Sequence, residues 1–309
     1  MHSRAVSGLG YVVGACALGT LFWGGLYSVS GVLDRGGGPI APIGLVPVET
    51  DSAAMLAEIF AEADYDWPPE LGPTVPPLAL TALPSDLSSA DASSKKTLFL
   101  RALLPLVLYE NRLIRADRAF LNNMFARGDW LDDSAEASAL RALARRYKVN
   151  EDLRQPEVQA ELLRRVDEVP ASLALAQAAN ESGWGTSRFA LEGNSLFGQW
   201  TWGASAGLAP EGRAEGEVYS VRTFPSLQAS VRAYMHNLNA GHAYGEFRHM
   251  RENMRAAGGP LNAARLADGL AAYSERGPLY IEEIKFMIRS ARFDRRLAGV
   301  YLLDPEAKP

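Results

Sequence analysis

The chain has 309 residues, 48% hydrophobic and 22% charged, enough for one sizeable core or two smaller ones, and this excludes wholesale disorder. Its net charge of −5 conceals a split: residues 1–94 hold ten acids against Arg4 and Arg35, whereas residues 95–309 hold 29 bases against 26 acids. A single cysteine, Cys16, excludes a disulfide framework or thiolate zinc cluster, the four histidines are too dispersed for a metal site, and an acidic chain without a basic stripe argues against nucleic acid.

From Ala5 to Leu33 run 29 residues without a charge, bounded by Arg4 and by Asp34-Arg35. That exceeds the roughly 20 residues that cross a bilayer. Arg4 and the amino terminus favour a cytoplasmic start, so residues 1–35 read as a membrane anchor that exports the rest. Three rivals stay open: a cleaved signal peptide, although no clear small-residue cleavage site follows; a lipoprotein signal at Val13-Gly14-Ala15-Cys16, although the apolar run continues past the cysteine; and a buried soluble segment. Residues 36–94 contain nine prolines, nine acids and no base. Such a composition predicts an extended, mobile linker, with one helical island at Ala53–Phe60 followed by Trp67.

From Lys95 the texture is helical. Leu98, Phe99, Ala102, Leu103, Leu106 and Val107 follow the i, i+3, i+4 rhythm, with Pro105 as an expected kink. Ala135–Tyr147, Val158–Val166, Leu227–Leu238, Tyr244–Ala256, Asn262–Tyr273 and Leu279–Leu297 repeat it. Between Gln199 and Phe224 glycines punctuate short runs, and residues 217–224 alternate as a strand does. The fold class is therefore α+β, mainly α, with a small β-hairpin; the domain spans 95–298 and a tail covers 299–309.

Pro170-Ala171-Ser172 opens a helix that runs to Glu181 and stops at Ser182-Gly183. Its alanines permit close packing on every side, which predicts burial. Leu173, Gln177 and Glu181 recur every fourth residue, placing two polar side chains on one stripe. Burying that stripe is costly, so it should open into a cleft, and Gln177 becomes a candidate substrate contact. A carboxylate in the last turn faces the negative end of the helix dipole, and Trp184 and Phe197 offer apolar walls. Both effects push Glu181 toward the protonated form a general acid requires. Taken alone, a glutamate in a terminal turn is ordinarily a solvated charge.

The run Ala178-Ala179-Asn180-Glu181-Ser182-Gly183-Trp184-Gly185, followed by Asn194-Ser195-Leu196-Phe197-Gly198, changes that balance. It resembles the glucosaminidase domains of glycoside hydrolase family 73, and Val166–Trp200 resembles the Bax family of bacterial glucosaminidase-domain proteins in particular. The likeness continues in Phe224-Pro225-Ser226 and Tyr273-Ser274-Glu275-Arg276-Gly277 and covers roughly Lys95–Leu297. It implies a lysozyme-like fold, peptidoglycan glycan strands as substrate, and cleavage of the β-1,4 bond after N-acetylglucosamine. The anchor reading separately puts the protein in the bacterial inner membrane as a single pass, with the catalytic domain facing the periplasm or wall, and the chemistry calls for no cofactor, since an acid, water and the substrate suffice. Glu181 matches the family's catalytic acid and Tyr273 its cleft-lining tyrosine, although Ser274-Glu275-Arg276 departs from the family's pattern after that tyrosine.

Glycoside hydrolysis ordinarily uses two acids. The resemblance puts the second on the hairpin, where Glu217 begins the alternating strand and Glu215 and Glu211 are alternatives; a substrate acetamido group that assists the reaction needs none. Pyranose binding calls for flat apolar faces beside hydrogen-bonding groups, which Trp200 and Trp202 supply next to Gln199. Trp184 and Phe197 read equally as core, and Asn194 as either a turn former or a substrate contact. Two other functions fit the same motifs: a lytic transglycosylase, and a wall-binding protein without catalysis.

Overall fold

The computed structural model describes residues 44–69, 73–128, 134–202, 207–211 and 219–304. The expected anchor over 1–35 lies outside these residues, as do Glu215 and Glu217. Among the described residues no helix is long and apolar enough to cross a membrane.

The first described stretch corrects the expectation of a mobile linker. Strand β1 (Val46–Val48) leads to helix α1 (Ala53–Glu62), then to β2 (Thr74–Val75) and β3 (Leu78–Leu80), with β1 and β3 paired in parallel from Val46↔Leu78 to Val48↔Leu80. Ser52 caps α1 by accepting from the Met55 amide, and the Asp86 carboxylate accepts from the Ala53 amide at 2.7 Å. Leu56, Phe60, Tyr65, Val75, Leu80 and Leu87 are all buried, while Glu49, Asp51, Glu58, Glu62 and Asp64 face solvent. A composition average hides this division of labour. The few apolar side chains dock on a core that the rest of the chain has already built, and each full burial contributes about 1.5–3 kcal/mol toward the ordering cost.

Helix α2 (Ala92–Arg127) is the long central element. Asp91 caps it by accepting from the Ser93 and Ser94 amides, Gly128 ends it at φ 72°, and it continues through Pro105. Helices α3 (Ala135–Arg146), α4 (Pro156–Arg165) and α5 (Ala171–Ser182) follow, then the short α6 (Arg188–Gly193). A three-stranded antiparallel sheet comes next in place of a simple hairpin: β4 (Trp200–Trp202), β5 (Gly207–Leu208) and β6 (Tyr219–Arg222), in the order β4-β6-β5. Gly207 lets the outer strand approach, since a Cβ there would sit 2.4 Å from the Val221 carbonyl oxygen. The chain then forms α7 (Leu227–Ala240), α8 (Gly245–Ala256), α9 (Ala263–Leu266), α10 (Pro278–Ser290) and α11 (Phe293–Arg296). The helix read over Asn262–Tyr273 is shorter, because a 3-10 turn at Ala267–Leu270 replaces its second half. Within the expected tail, β7 (Tyr301–Leu302) pairs with β2 and ties the C-terminal stretch to the N-terminal one.

Helix α5 packs against both α2 and α10. Ala174, Ala176 and Ala178 are fully buried, and their small side chains allow this close approach on several faces. Just before α5, Asp167 is held by Arg255 at 2.9 Å and Arg251 at 3.7 Å. The fully buried Arg251 also donates to the backbone oxygens of Asp167, Glu168 and Arg164 and to Asn239 Oδ1. This cluster anchors the helix's N-terminal end.

Candidate active site

At its other end α5 stops at Gly183, whose φ of 59° is the left-handed cap a glycine adopts without strain. Trp184 at φ 60° and Gly185 at φ 80° continue the reversal. Ser182 braces it: its hydroxyl donates to the Ala178 carbonyl at 2.6 Å and accepts from the Gly185 amide at 2.8 Å. No side chain fits at Gly185, where a Cβ would lie 2.6 Å from Leu83 and 2.7 Å from Phe99. The Glu-Ser-Gly-Trp-Gly run is thus explained residue by residue: one acid, one brace, one cap, one ring and one contact with the N-terminal stretch.

Glu181 sits half-buried one residue before the helix end. The turn Leu196-Phe197-Gly198 approaches it. The Leu196 amide donates to Ser230 Oγ at 3.2 Å, and Phe197 stacks on Tyr234 with centroids 3.9 Å apart and planes within 6°. Tyr273 donates to the Phe197 carbonyl at 3.1 Å. These contacts deliver Gly198, in the left-handed region at φ 61°, to the carboxylate, so that a Cβ there would be 3.4 Å from Glu181 Oε2.

Beneath the acid lies a layer of tyrosines. Tyr273 and Tyr280 stack with centroids 5.5 Å apart and planes within 7°, and Tyr234 and Tyr244 meet Tyr273 at 6.5 and 6.2 Å. Burial raises the Glu181 pKa by disfavouring the anion; hydrogen bonding from Tyr280 and Asn180 and the Arg276 charge oppose that without cancelling it. Burial and the nearby Glu181 charge also hold Tyr273 and Tyr280 well above the usual phenol range, so both rings stay protonated as donors. The arrangement is that of a carboxyl kept protonated to higher pH than an exposed glutamate, as a proton donor requires.

Two expected substrate contacts are corrected. Gln177 is fully buried, giving its amide to the Tyr280 hydroxyl at 2.8 Å and accepting from the Tyr234 hydroxyl at 2.7 Å. Its place on the Glu181 stripe is real, but α10 covers that stripe one turn before the helix end. Phe197 is 2% exposed and belongs to the core, reaching the site only through its backbone. Trp184 is half-buried, edge-on to Phe99 at 6.1 Å and beneath the Lys96 ammonium at 4.9 Å. Asn194 forms the left-handed cap of α6 at φ 51°; its amide donates to the Phe224 carbonyl at 3.2 Å, while its buried Oδ1 has no partner. The buried Oε1 of Gln199 likewise lacks a partner. Trp200 is 51% exposed and edge-on to Tyr219 at 5.2 Å, leaving a face open to solvent.

Of the candidate second acids, Glu211 is described: it is solvent-exposed and 3.9 Å from Arg188. Glu215, Glu217 and the side chain of Trp202 fall outside the described residues. Among the described residues no three His, Cys, Asp or Glu side chains gather as a metal site. Sequence reasoning missed Tyr280, which accepts from the Gln177 amide one turn before the acid. A signal was present, since Tyr280, Ile284 and Ile288 form one buried stripe of α10 and only its first member is polar.

Residues 158–293 match the Glucosaminidase family model, described as mannosyl-glycoprotein endo-beta-N-acetylglucosaminidase. The chain is similar to Protein bax of Escherichia coli (strain K12), 34% identical over 201 residues, which is 65% of this chain and 71% of that protein. No solved structure matches it.

Proposed function

The chain belongs to the Bax family of bacterial glucosaminidase-domain proteins, and we propose from this membership and the site geometry that it is a membrane-anchored peptidoglycan hydrolase cleaving the β-1,4 bond after N-acetylglucosamine. The observation that carries the reading is Glu181: a carboxyl at a helix end, raised in pKa by burial, backed by protonated tyrosines and flanked by a glycine that leaves room beside it. In this reading the mainly helical domain with its small sheet is lysozyme-like, and Glu181 gives its proton to the leaving glycosidic oxygen.

The partly exposed Trp200 stacks on a pyranose face. Glu217 activates the attacking water. Glu215 and Glu211 are its alternatives, Glu211 being the least suited because it is drawn to Arg188; a substrate acetamido group acting internally would need none of the three. Tyr273 shapes the cleft floor. Membrane anchoring rests on the 29 uncharged residues from Ala5 to Leu33, and it places the domain in the periplasm or against the wall.

The test is digestion of purified peptidoglycan with mass analysis of the new ends. Reducing N-acetylglucosamine ends support the hydrolase, and 1,6-anhydromuramic ends would assign a lytic transglycosylase instead. No release by wild type, or undiminished release by Glu181→Gln, would leave a wall-binding protein without catalysis.

A further inference from the structure

The stretch from Val46 to Ser89 lies outside residues 158–293 that match the family model, yet two of its residues touch the two segments that flank Glu181. Thr81 donates its amide to the Val48 carbonyl at 3.1 Å, and its own carbonyl accepts from the amide of Leu227, the first residue of α7, at 3.1 Å. That helix carries Ser230 and Tyr234, which hold the Leu196-Phe197-Gly198 turn beside the carboxylate. Two residues after Thr81, the 5% exposed Leu83 lies against Gly185: a Cβ there would be 2.6 Å from Leu83 Cδ1 and 2.7 Å from Phe99. Phe99 is in turn edge-on to Trp184. Gly183, Trp184 and Gly185 stand one after another in the left-handed region, where Trp184 meets a steric penalty that glycine escapes. Such a reversal persists only where its surroundings over-determine it, and the side chains nearest Gly185 are Leu83 and Phe99.

The stretch is itself fixed at points away from the acid. Strand β1 pairs with β3, β2 pairs with β7 near the C-terminal end, and the Asp86 carboxylate holds the Ala53 amide at the start of α1. We propose that the N-terminal stretch is a strap that positions the acid: docked through Thr81 on the start of α7, it presses Leu83 on Gly185 and so sets the reversal after Glu181 against the turn that carries Gly198. Leu83 is its positioning residue, and the role rests on the reading of Glu181 as the general acid. Gly183, the cap of α5, is two residues past Glu181, so a reversal that shifts moves the carboxyl with it. A displacement of about 1 Å is enough to cost a reaction that depends on proton transfer in one geometry roughly a hundredfold. The region that matches the family thus relies on residues upstream of it to hold its acid.

The test compares Leu83→Ala with Leu56→Ala in the full chain. Leu56 is 0% exposed and belongs to the same stretch, but its helix α1 packs on α2 and on the Ser85–Ser89 turn. Both variants should lower the melting temperature, since both empty a buried site. On soluble peptidoglycan fragments, at a temperature where both are folded, Leu83→Ala alone should lower kcat, by about tenfold or more with KM within about twofold. Leu83→Met, which refills the volume, should return kcat to within about twofold of wild type. If Leu83→Ala does not fold, Leu83→Val against Leu56→Val reads the same contrast. Equal losses of kcat at the two positions, or none at Leu83, overturns the proposal. If wild type proves inactive on peptidoglycan, the hydrolase reading fails by itself, and hydrogen exchange decides the strap without turnover. The Gly185 amide, bonded to Ser182 Oγ, should then exchange about tenfold or more faster in Leu83→Ala relative to amides in the middle of α5, and not in Leu56→Ala; acceleration in both or in neither overturns it.

Discussion

The alanine-rich helix α5 has an acid near each end, the buried Asp167 just before its start and the half-buried Glu181 in its last turn, and the two acids behave oppositely. Asp167, at the N-terminal approach, loses hydration as Glu181 does, yet Arg251, Arg255 and Arg118 outweigh that cost and its pKa is lowered. Glu181, at the C-terminal end, has uncharged tyrosines as its near neighbours and the solvent-facing Arg276 as its cation, so burial wins and its pKa is raised. Burial acts in the same sense on both. The partners decide whether a buried carboxylate becomes a structural anchor or a proton donor.

The sharpest way to separate the two ends is to neutralise each acid in turn. Glu181→Gln should abolish peptidoglycan digestion, by about a thousandfold or more, with the fold retained, as the circular dichroism spectrum and release of labelled muropeptides would show. Asp167→Asn should instead unfold the protein more easily, by about 3–5 kcal/mol in denaturant titration, because Arg251 is left buried without its counter-charge. A variant that lost digestion at full stability through Asp167 would break the contrast.

A smaller effect probes the support between the ends. Gly185→Ala places a methyl against Leu83 and Phe99 at a positive φ, and should cost about 1–3 kcal/mol. Since that turn follows Glu181 directly, turnover at temperatures below the melting transition should fall as well.

The smallest effect is the pH dependence of stability, where the signs differ. Asp167, with its lowered folded pKa, contributes stability that is fully present above about pH 4, its unfolded value, and lost as pH falls through the folded one. Glu181, with its raised folded pKa, contributes nothing below the ordinary carboxylate range and costs stability above it. Glu181→Gln should therefore raise the melting temperature slightly at pH 7 and not at pH 4. A melt that gained as much at pH 4 would contradict the burial of the acid.

Much of this was legible in the chain itself. Helical periodicity located α2 to α5, α7, α8 and α10, and the Glu-Ser-Gly-Trp-Gly run pointed to the acid that the structure sets half-buried at a helix end. The N-terminal stretch was not legible, because prolines and acids dominate its average while Phe60 meets Arg101 of α2 and Val75 pairs with Leu302 of β7, both outside the stretch. Gln177 was legible as a member of the right stripe, but not as a buried one. Periodicity assigns a side chain to a face without saying what covers it, and here the cover is Tyr280, 103 residues away.

Local chemistry therefore determined the identity of the acid, the caps that bound its helix and the glycines that turn the chain beside it, because these depend on neighbours within a few residues. Only the tertiary structure decided what surrounds the acid. The tyrosine layer comes from α7, α10 and the turns before α8 and α10, with Gln177 of α5 bonded to Tyr234 and Tyr280, and a carboxyl's pKa answers to the solvent and charges that packing leaves around it, whatever their distance in sequence.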